Sequence, residues 1–263
     1  MAVLPVGIGS EEAAGGYQIE RSLRFNSADS AYLNRTFGTA TDRKKWTLSV
    51  WAKFKNKTTS ERQVLLDAGA QSMIGLAYGT DWAGLHWYDQ TAGTAFYGTR
   101  LCRDPGAWMH IFVVYDSTQA TAIDRIKFYV NNIQDPRRSG DDIALNAVSD
   151  INSATAHTIG TSVTYGQPLD GYLAEYHFVD GQALAPTDFG EFNSDTGVWQ
   201  PKAYTGSYGT NGFYLDFADN TSTTTLGYDA AGSNDWTLNN FSVTAGAGND
   251  SLVDSPTRYG EDT

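Results

Sequence analysis

The sequence predicts an all-β protein, two antiparallel sheets stacked as a sandwich or jelly roll. Three observations carry this. Apolar and polar residues alternate with a period of two over several stretches, as they do along a strand with one buried side. Clusters of Asp, Asn, Gly and Pro punctuate those stretches. Aromatic residues are abundant (7 Trp, 15 Tyr, 12 Phe), as are the 27 Gly that supply turns, and only one short segment reads as helix. A length of 263 residues suits one large β domain with extensions.

Ser22–Asn26 and Tyr32–Phe37 open the series of strands. In Trp46–Lys55, Trp46, Leu48, Val50, Ala52 and Phe54 share one face, and Thr47, Ser49, Trp51, Lys53 and Lys55 share the other. Trp51 breaks the polar face, so that side is expected to be partly covered. Val64–Ala68, Met73–Tyr78 and Leu85–Tyr88 follow. Ala107–Asp116 is apolar on both faces and belongs inside a sandwich. Arg125–Asn131 turns Ile126, Phe128 and Val130 inward and ends at Asn131-Asn132, a pair that tolerates the left-handed conformation of a hairpin. His157–Gly160 precedes Tyr172–Val179, whose alternation groups Tyr172, Ala174, Tyr176 and Phe178. Turns fall at Asp67-Ala68-Gly69, Tyr78-Gly79-Thr80-Asp81, Asp104-Pro105-Gly106 and Asp170-Gly171. The helical piece is Thr187–Phe192, with Pro186 and Asp188 suited to its first turn.

Composition changes near Asp195. Beyond it, Gly, Asn, Thr and Ser surround aromatic islands at Phe213–Phe217 and Asp235–Leu238, expected to pack on the sandwich or on a neighbour. Residues 1–20 and 251–263 hold little to build a core. The organisation expected is an N-terminal arm (1–20), a jelly roll (21–195) and a C-terminal extension (196–263).

With 18 Lys and Arg against 30 Asp and Glu, the formal net charge is −12. A nucleic-acid binder needs a basic face to replace phosphate counterions, and anionic lipid likewise selects basic surfaces, so neither is expected as a partner. The longest apolar run, Ile111–Tyr115, is far short of a membrane helix. Met1–Ser10 lacks a basic start and runs into Glu11 and Glu12, a poor export signal. The single cysteine, Cys102, excludes an internal disulfide and reads as a small buried side chain.

Several motifs taken in order resemble the laminin-G-like, concanavalin A-like jelly rolls. They are Ser22-Leu23-Arg24-Phe25-Asn26 with Ala31-Tyr32-Leu33; Trp46-Thr47-Leu48-Ser49-Val50-Trp51-Ala52-Lys53; Trp108-Met109-His110 with Val113-Val114-Tyr115-Asp116; Phe128-Tyr129-Val130-Asn131-Asn132; and Asp170-Gly171-Tyr172-Leu173-Ala174-Glu175. Downstream, Asn211–Phe217, Asn234–Ser242 and Asp254-Ser255-Pro256-Thr257 resemble a tract that follows such jelly rolls in bacteriophage virion proteins, tail-fibre-like ones included. The resemblance implies a non-enzymatic virion protein, a tail or fibre component whose lectin-like module binds host-surface glycans. Its arm and extension would contact other virion proteins and further copies of the chain. Capsid decoration or a head fibre is the nearest alternative. A polysaccharide hydrolase and a secreted adhesin are rivals from other classes.

Catalytic relatives on this architecture carry Glu-x-Asp-x-x-Glu on one strand, the paired carboxylates that glycoside hydrolysis requires. That spacing is absent here. Glu175 is flanked two positions away by Leu173 and His177 and reads as a polar residue on a half-exposed face. His86, His110, His157 and His177 fall on separate predicted strands, so no catalytic constellation is expected and no cofactor is implied. The resemblance offers a calcium site at Asp170, in the family's Asp-Gly turn. Ala174 stands where that pattern has a second acid, which leaves Asp170 a turn-stabilising residue on its own evidence. For a sugar, Tyr78–Tyr97 offers Trp82, Trp87 and Tyr97 with Asp81, stacking rings beside a polar group. Trp82, in a predicted turn, is the ring expected to be exposed, and filling the core is the competing role for all three.

Overall fold

The computed structural model describes residues 16–55, 62–69, 72–79, 82–102, 104–162 and 164–257, without the side chains of Gly79, Trp82 and Ala83. Eighteen strands are found among them: β1 Ser22–Phe25, β2 Tyr32–Thr36, β3 Lys45–Phe54, β4 Arg62–Asp67, β5 Met73–Gly79, β6 Trp82–Asp89, β7 Thr94–Gly98, β8 Met109–Asp116, β9 Ile126–Val130, β10 Ile133–Asp135, β11 Arg137–Gly140, β12 Ala156–Ile159, β13 Gly171–Asp180, β14 Gly190–Phe192, β15 Trp199–Pro201, β16 Phe213–Leu215, β17 Thr237–Asn239 and β18 Ser251–Leu252. One sheet runs β10-β9-β8-β3-β13-β1-β18, with β16 also on β13. The second runs β11-β7-β6-β5-β4-β12-β2-β17, and β14 pairs with β15 apart from both.

The two large sheets stack because each presents one apolar face. Trp46, Leu48 and Val50 of β3 and Ile111, Val113 and Tyr115 of β8 meet Ile74, Leu76 and Trp87 from β5 and β6 in a single core. Trp46 lies flat on Tyr115 at 5.4 Å between ring centroids, and Phe96 of β7 crosses Phe128 of β9 at 4.6 Å. Large rings supply much buried apolar area per residue, worth roughly 25 cal/mol per Å² removed from water. The Asn131-Asn132 hairpin between β9 and β10 forms as expected, both residues at positive φ (49° and 64°). Cys102 is buried, and its thiol is pushed up to about 12, first by burial and then by Asp135.

Two expectations need correcting. The segment after Leu184 is not a helix over 187–192: a single 3-10 turn at Pro186–Asp188, with Ala185 N donating to the Asp188 carboxylate at 2.9 Å, runs directly into β14. Next, Tyr172, Ala174, Tyr176 and Phe178 do not share a face. The register of β13 on β3 slips between Ala174 and His177, and Glu175 takes φ 49°, a bulge that reverses the alternation. Tyr172 and Ala174 therefore pack on the outer side of the sheet, while Tyr176 and Phe178 enter the core. The aromatic islands beyond Asp195 pack on the sandwich, the first of the two places expected for them. β16 pairs with β13, β17 with β2 and β18 with β1, and Phe213, Leu215, Phe217, Leu226 and Trp236 join the main core.

The outer face of the first sheet is apolar as well and is covered in turn. Trp51 and Ala174 are sealed by Ile19, Trp108 and Trp199, and Phe112 and Val179 by Phe189, with Tyr204 and Tyr208 beside it. Inside this layer Trp199 Nε1 donates to His110 Nδ1 at 3.1 Å, and His110 Nε2 pairs with Ser49 Oγ at 2.8 Å. A neutral imidazole that accepts at Nδ1 and donates from Nε2 satisfies both contacts.

Burial pushes the imidazoles of His86 and His110 down to about 3 and that of His157 down to about 4. Each folded value lies below the unfolded one, near 6.5. Stability from these groups is thus complete above that value and is lost as the pH falls, because the unfolded chain takes up protons that the fold refuses. Each contributes a slope of up to about 1.4 kcal/mol per pH unit between roughly pH 6.5 and 4. Burial raises the carboxyls of Asp67, Asp89 and Asp216 and works in the opposite direction. Urea unfolding at several pH values across this window should show a shallower acid-side decline for His110→Gln than for the unaltered protein, by about one such slope. Parallel pH profiles would contradict the assignment.

Candidate functional site

The structure separates Trp87 from Tyr97, two of the residues read as a sugar site. Trp87 is fully buried in the core, facing Tyr115 at 5.9 Å, and cannot stack on a ligand. Its neighbour in register is Phe96, whereas Tyr97 pairs with His86. The period of two therefore sends Trp87 and Tyr97 to opposite faces of the sheet. Tyr97 is half-buried against His86, at 4.7 Å between ring centroids. Trp82 is the first residue of β6, paired with Gly79, rather than part of a turn. Its side chain, like Asp81 as a whole, lies outside the described residues.

Asp170 does sit in a cleft, at the rim of the sandwich where β1 and β3 end and β13 begins. The cleft encloses about 390 Å³ and is lined by Arg24, Asn26, Lys55, Pro105, Asp170 and Tyr172 over a floor of Phe25, Phe54 and Gly171. The local chain makes it so. Lys55 N donates to Asp170 O at 2.9 Å, and Asp170 N donates to Gln63 Oε1 at 2.9 Å, which fixes the turn. A side chain at position 171 would place its Cβ 2.2 Å from Lys53 O, so the close approach of β13 to β3 requires glycine there. Lys55 is 70% exposed and sets its ammonium 3.0 Å from Asp170 Oδ2, which also accepts from Ser27 Oγ at 3.0 Å. Arg24, at the opposite edge, pairs with Asp250 at 2.9 Å. Tyr172 has the Lys53 ammonium over its ring at 4.7 Å, and that ammonium also pairs with Asp254.

Among the described residues the geometry lends the calcium candidate at Asp170 no support. A hard cation needs several oxygen ligands. Asp170 shares its oxygen with an ammonium instead, and Ala174 is sealed in the outer layer beside Trp51 and Trp199. Among the described residues no group of three or more His, Cys, Asp or Glu side chains is placed to hold a metal ion.

Glu175, expected on a half-exposed face, is buried and forms a polar knot with His177. The bulge turns Glu175 outward, where Tyr17 donates to Oε2 at 2.9 Å and Tyr214 to Oε1 at 2.7 Å. His177 Nε2 lies 3.3 Å from Oε2, and Nδ1 pairs with the Tyr208 hydroxyl at 2.8 Å. Burial first, then the Glu175 charge, raises the hydroxyl pKa of Tyr17, Tyr208 and Tyr214. This carboxylate, with both oxygens engaged, holds the layer together. No signal in the sequence marks the bulge, because Glu at positive φ has no characteristic pattern.

Two curved layers of antiparallel strands with an open rim cleft define a lectin-type sandwich. The chain belongs to the concanavalin A-like lectin/glucanases superfamily, whose Laminin_G_3 model matches residues 25–188. No curated protein matches the chain. Among solved structures, a putative carbohydrate-binding protein from Bacteroides ovatus is 14% identical over 85% of this chain, with a TM-score of 0.60. The chain spans 59% of that protein's length. A heptameric SAP-like pentraxin from Limulus polyphemus aligns at 13% identity over 65% of this chain and 80% of its own, with a TM-score of 0.45. Tailspike protein 2 of Escherichia coli O157:H7 bacteriophage CAB120 aligns at 12% identity over 67% of this chain and 28% of its own, with a TM-score of 0.38. At these identities the first likeness establishes the fold.

The knot yields a stability test. Replacing Glu175 by Ala removes the carboxylate that accepts from Tyr17 and Tyr214 and leaves their hydroxyls only each other, at a cost of about 1–3 kcal/mol. Denaturant unfolding reads this directly, and a variant as stable as its parent would show that the knot is dispensable.

Proposed function

We propose that the protein is a non-enzymatic component of a bacteriophage particle, a tail or fibre protein whose sandwich holds host-surface glycan in the rim cleft. The observation that carries the glycan reading is the cleft itself. Tyr172 and Pro105 offer apolar surface for a sugar ring, and Lys55, Arg24, Asn26 and Asp170 ring it with groups that hold hydroxyls and carboxylates. The two cations favour an acidic sugar, since Lys55 is well exposed and its partner Asp170 is tied to Ser27 as well. Glycoside hydrolysis needs two carboxylates astride the bond, and among the described residues lining the cleft Asp170 is the one carboxylate.

The virion assignment is supported by the likeness of residues 211–217, 234–242 and 254–257 to the tract that follows such jelly rolls in phage particles. Exposed Phe192 and Val198, on β14 and beside β15, suit contacts with further copies or other virion proteins. Neither a nucleic acid nor a membrane is proposed as a partner. No helix among the described residues is long and apolar enough to cross a membrane.

Purified protein incubated with host polysaccharide should bind it and leave its length unchanged. Lys55→Ala should weaken binding by about tenfold, the worth of one charge-assisted contact. Shortened polysaccharide would identify a hydrolase, and undiminished binding by Lys55→Ala would remove the rim cleft from the account. Antibody label on the particle's fibres supports the tail reading, whereas label on the shell supports capsid decoration instead.

A further inference from the structure

We propose a second binding site, for a neutral pyranose sugar, in a cleft built wholly from residues 204–234, outside the segment that matches the family. The cleft encloses about 690 Å³, within the range of small-ligand pockets. One wall carries Tyr204 and Tyr208, whose rings meet at 89° with centroids 5.1 Å apart, and Tyr214 adjoins them. The other wall is the turn from Asp229 to Asn234.

The rings are fixed from behind. Tyr204 stacks on Phe189 at 4.6 Å, Tyr208 is anchored through its hydroxyl to His177, and Tyr214 lies flat on His177 at 4.2 Å with its hydroxyl on Glu175. Aromatic surface already held in place loses little freedom when a ligand arrives. Gly209 lets the first wall close up. It sits at φ 78°, and a Cβ there would fall 2.3 Å from Asp180 O.

The chemistry of the cleft selects a neutral partner. Asp229 is its one charged residue among those described, and its carboxylate is consumed inside the turn. Oδ1 accepts from Tyr214 N and Ala231 N at 2.9 and 3.0 Å, and Oδ2 accepts from Asn234 N at 2.9 Å. Asn234 Nδ2 donates to Thr210 O and Gly212 O, so this side chain too belongs to the scaffold. What remains exposed around the tyrosines is small and uncharged: Thr205, Ser207, Thr210, Ala231 and Ser233. Ring faces beside hydroxyls and open backbone suit a sugar with an apolar face and a rim of hydroxyls. The basic rim cleft differs in this respect, and the two sites do not depend on each other.

An array of neutral and acidic oligosaccharides probed with the full chain tests this. Ala231→Trp and Ser233→Trp would each fill the cleft from an exposed position. Retention of a neutral oligosaccharide should fall at least about tenfold in both, with thermal unfolding unchanged and with Lys55→Ala as effective as the parent. The proposal is overturned if no neutral oligosaccharide is retained, if both tryptophan variants bind as the parent does, or if Lys55→Ala abolishes neutral binding equally. Loss of acidic binding alone in Lys55→Ala bears only on the rim cleft.

Discussion

A sheet that is apolar on both faces cannot stand at the surface of a protein, and this constraint organises the whole molecule. β3, β8 and β13 point Trp46, Ile111 and Tyr176 into the sandwich and Trp51, Phe112 and Val179 away from it. Either face left in water would forfeit about 1.5–3 kcal/mol for each large side chain. The second sheet closes the inner side. The outer side is closed by Ile19 before the jelly roll, by Trp108 and Phe189 within it, and by Trp199, Tyr204 and Tyr208 after it. The chain beyond β13 is therefore part of the fold.

Polar contacts tie that outer layer to the sandwich at one point above all. The Asp180 carboxylate accepts from Thr41 N, Asp42 N, Asn211 N and Asn152 Nδ2, at 2.6–3.2 Å. Asn211 in turn bonds both Gly38 N and Gly38 O and reaches Asn152 Oδ1. The end of β13, the approach to β3 and the start of β16 thus share one buried knot, and a partner lost from it leaves the others unsatisfied in a dry interior. Both clefts follow from this arrangement. The rim cleft opens where β13 begins, and the tyrosine cleft opens where the chain beyond β13 folds back over the outer face.

Long regular strands were legible in the sequence because they bury one or both faces and so carry the period of two. β3, β8 and β9 fall within a residue or two of where that period places them. β16 and β17 are three residues each, set in Gly, Asn, Thr and Ser, too short for any period to show. The bulge at Glu175 inverted a correct strand assignment into a wrong choice of faces, because one extra residue shifts the parity of all that follow. The rim cleft gathers Arg24, Lys55 and Asp170 from three distant segments, and only Asp170, within the Asp-Gly turn, carried a local signal. Trp87 misled because the short predicted strand Leu85–Tyr88 did not reveal which of its faces is covered, and pairing with Phe96 sends Trp87 into the core.

Native-state hydrogen exchange tests the central claim most directly. If the chain beyond Asp195 completes the fold, the amides of β16 that pair with β13 open only with the β3–β13 ladder, at the same free energy and with the same denaturant dependence. Exchange of β16 at a much lower free energy, with β3 still protected, would make residues beyond Asp195 an appendage and contradict the account.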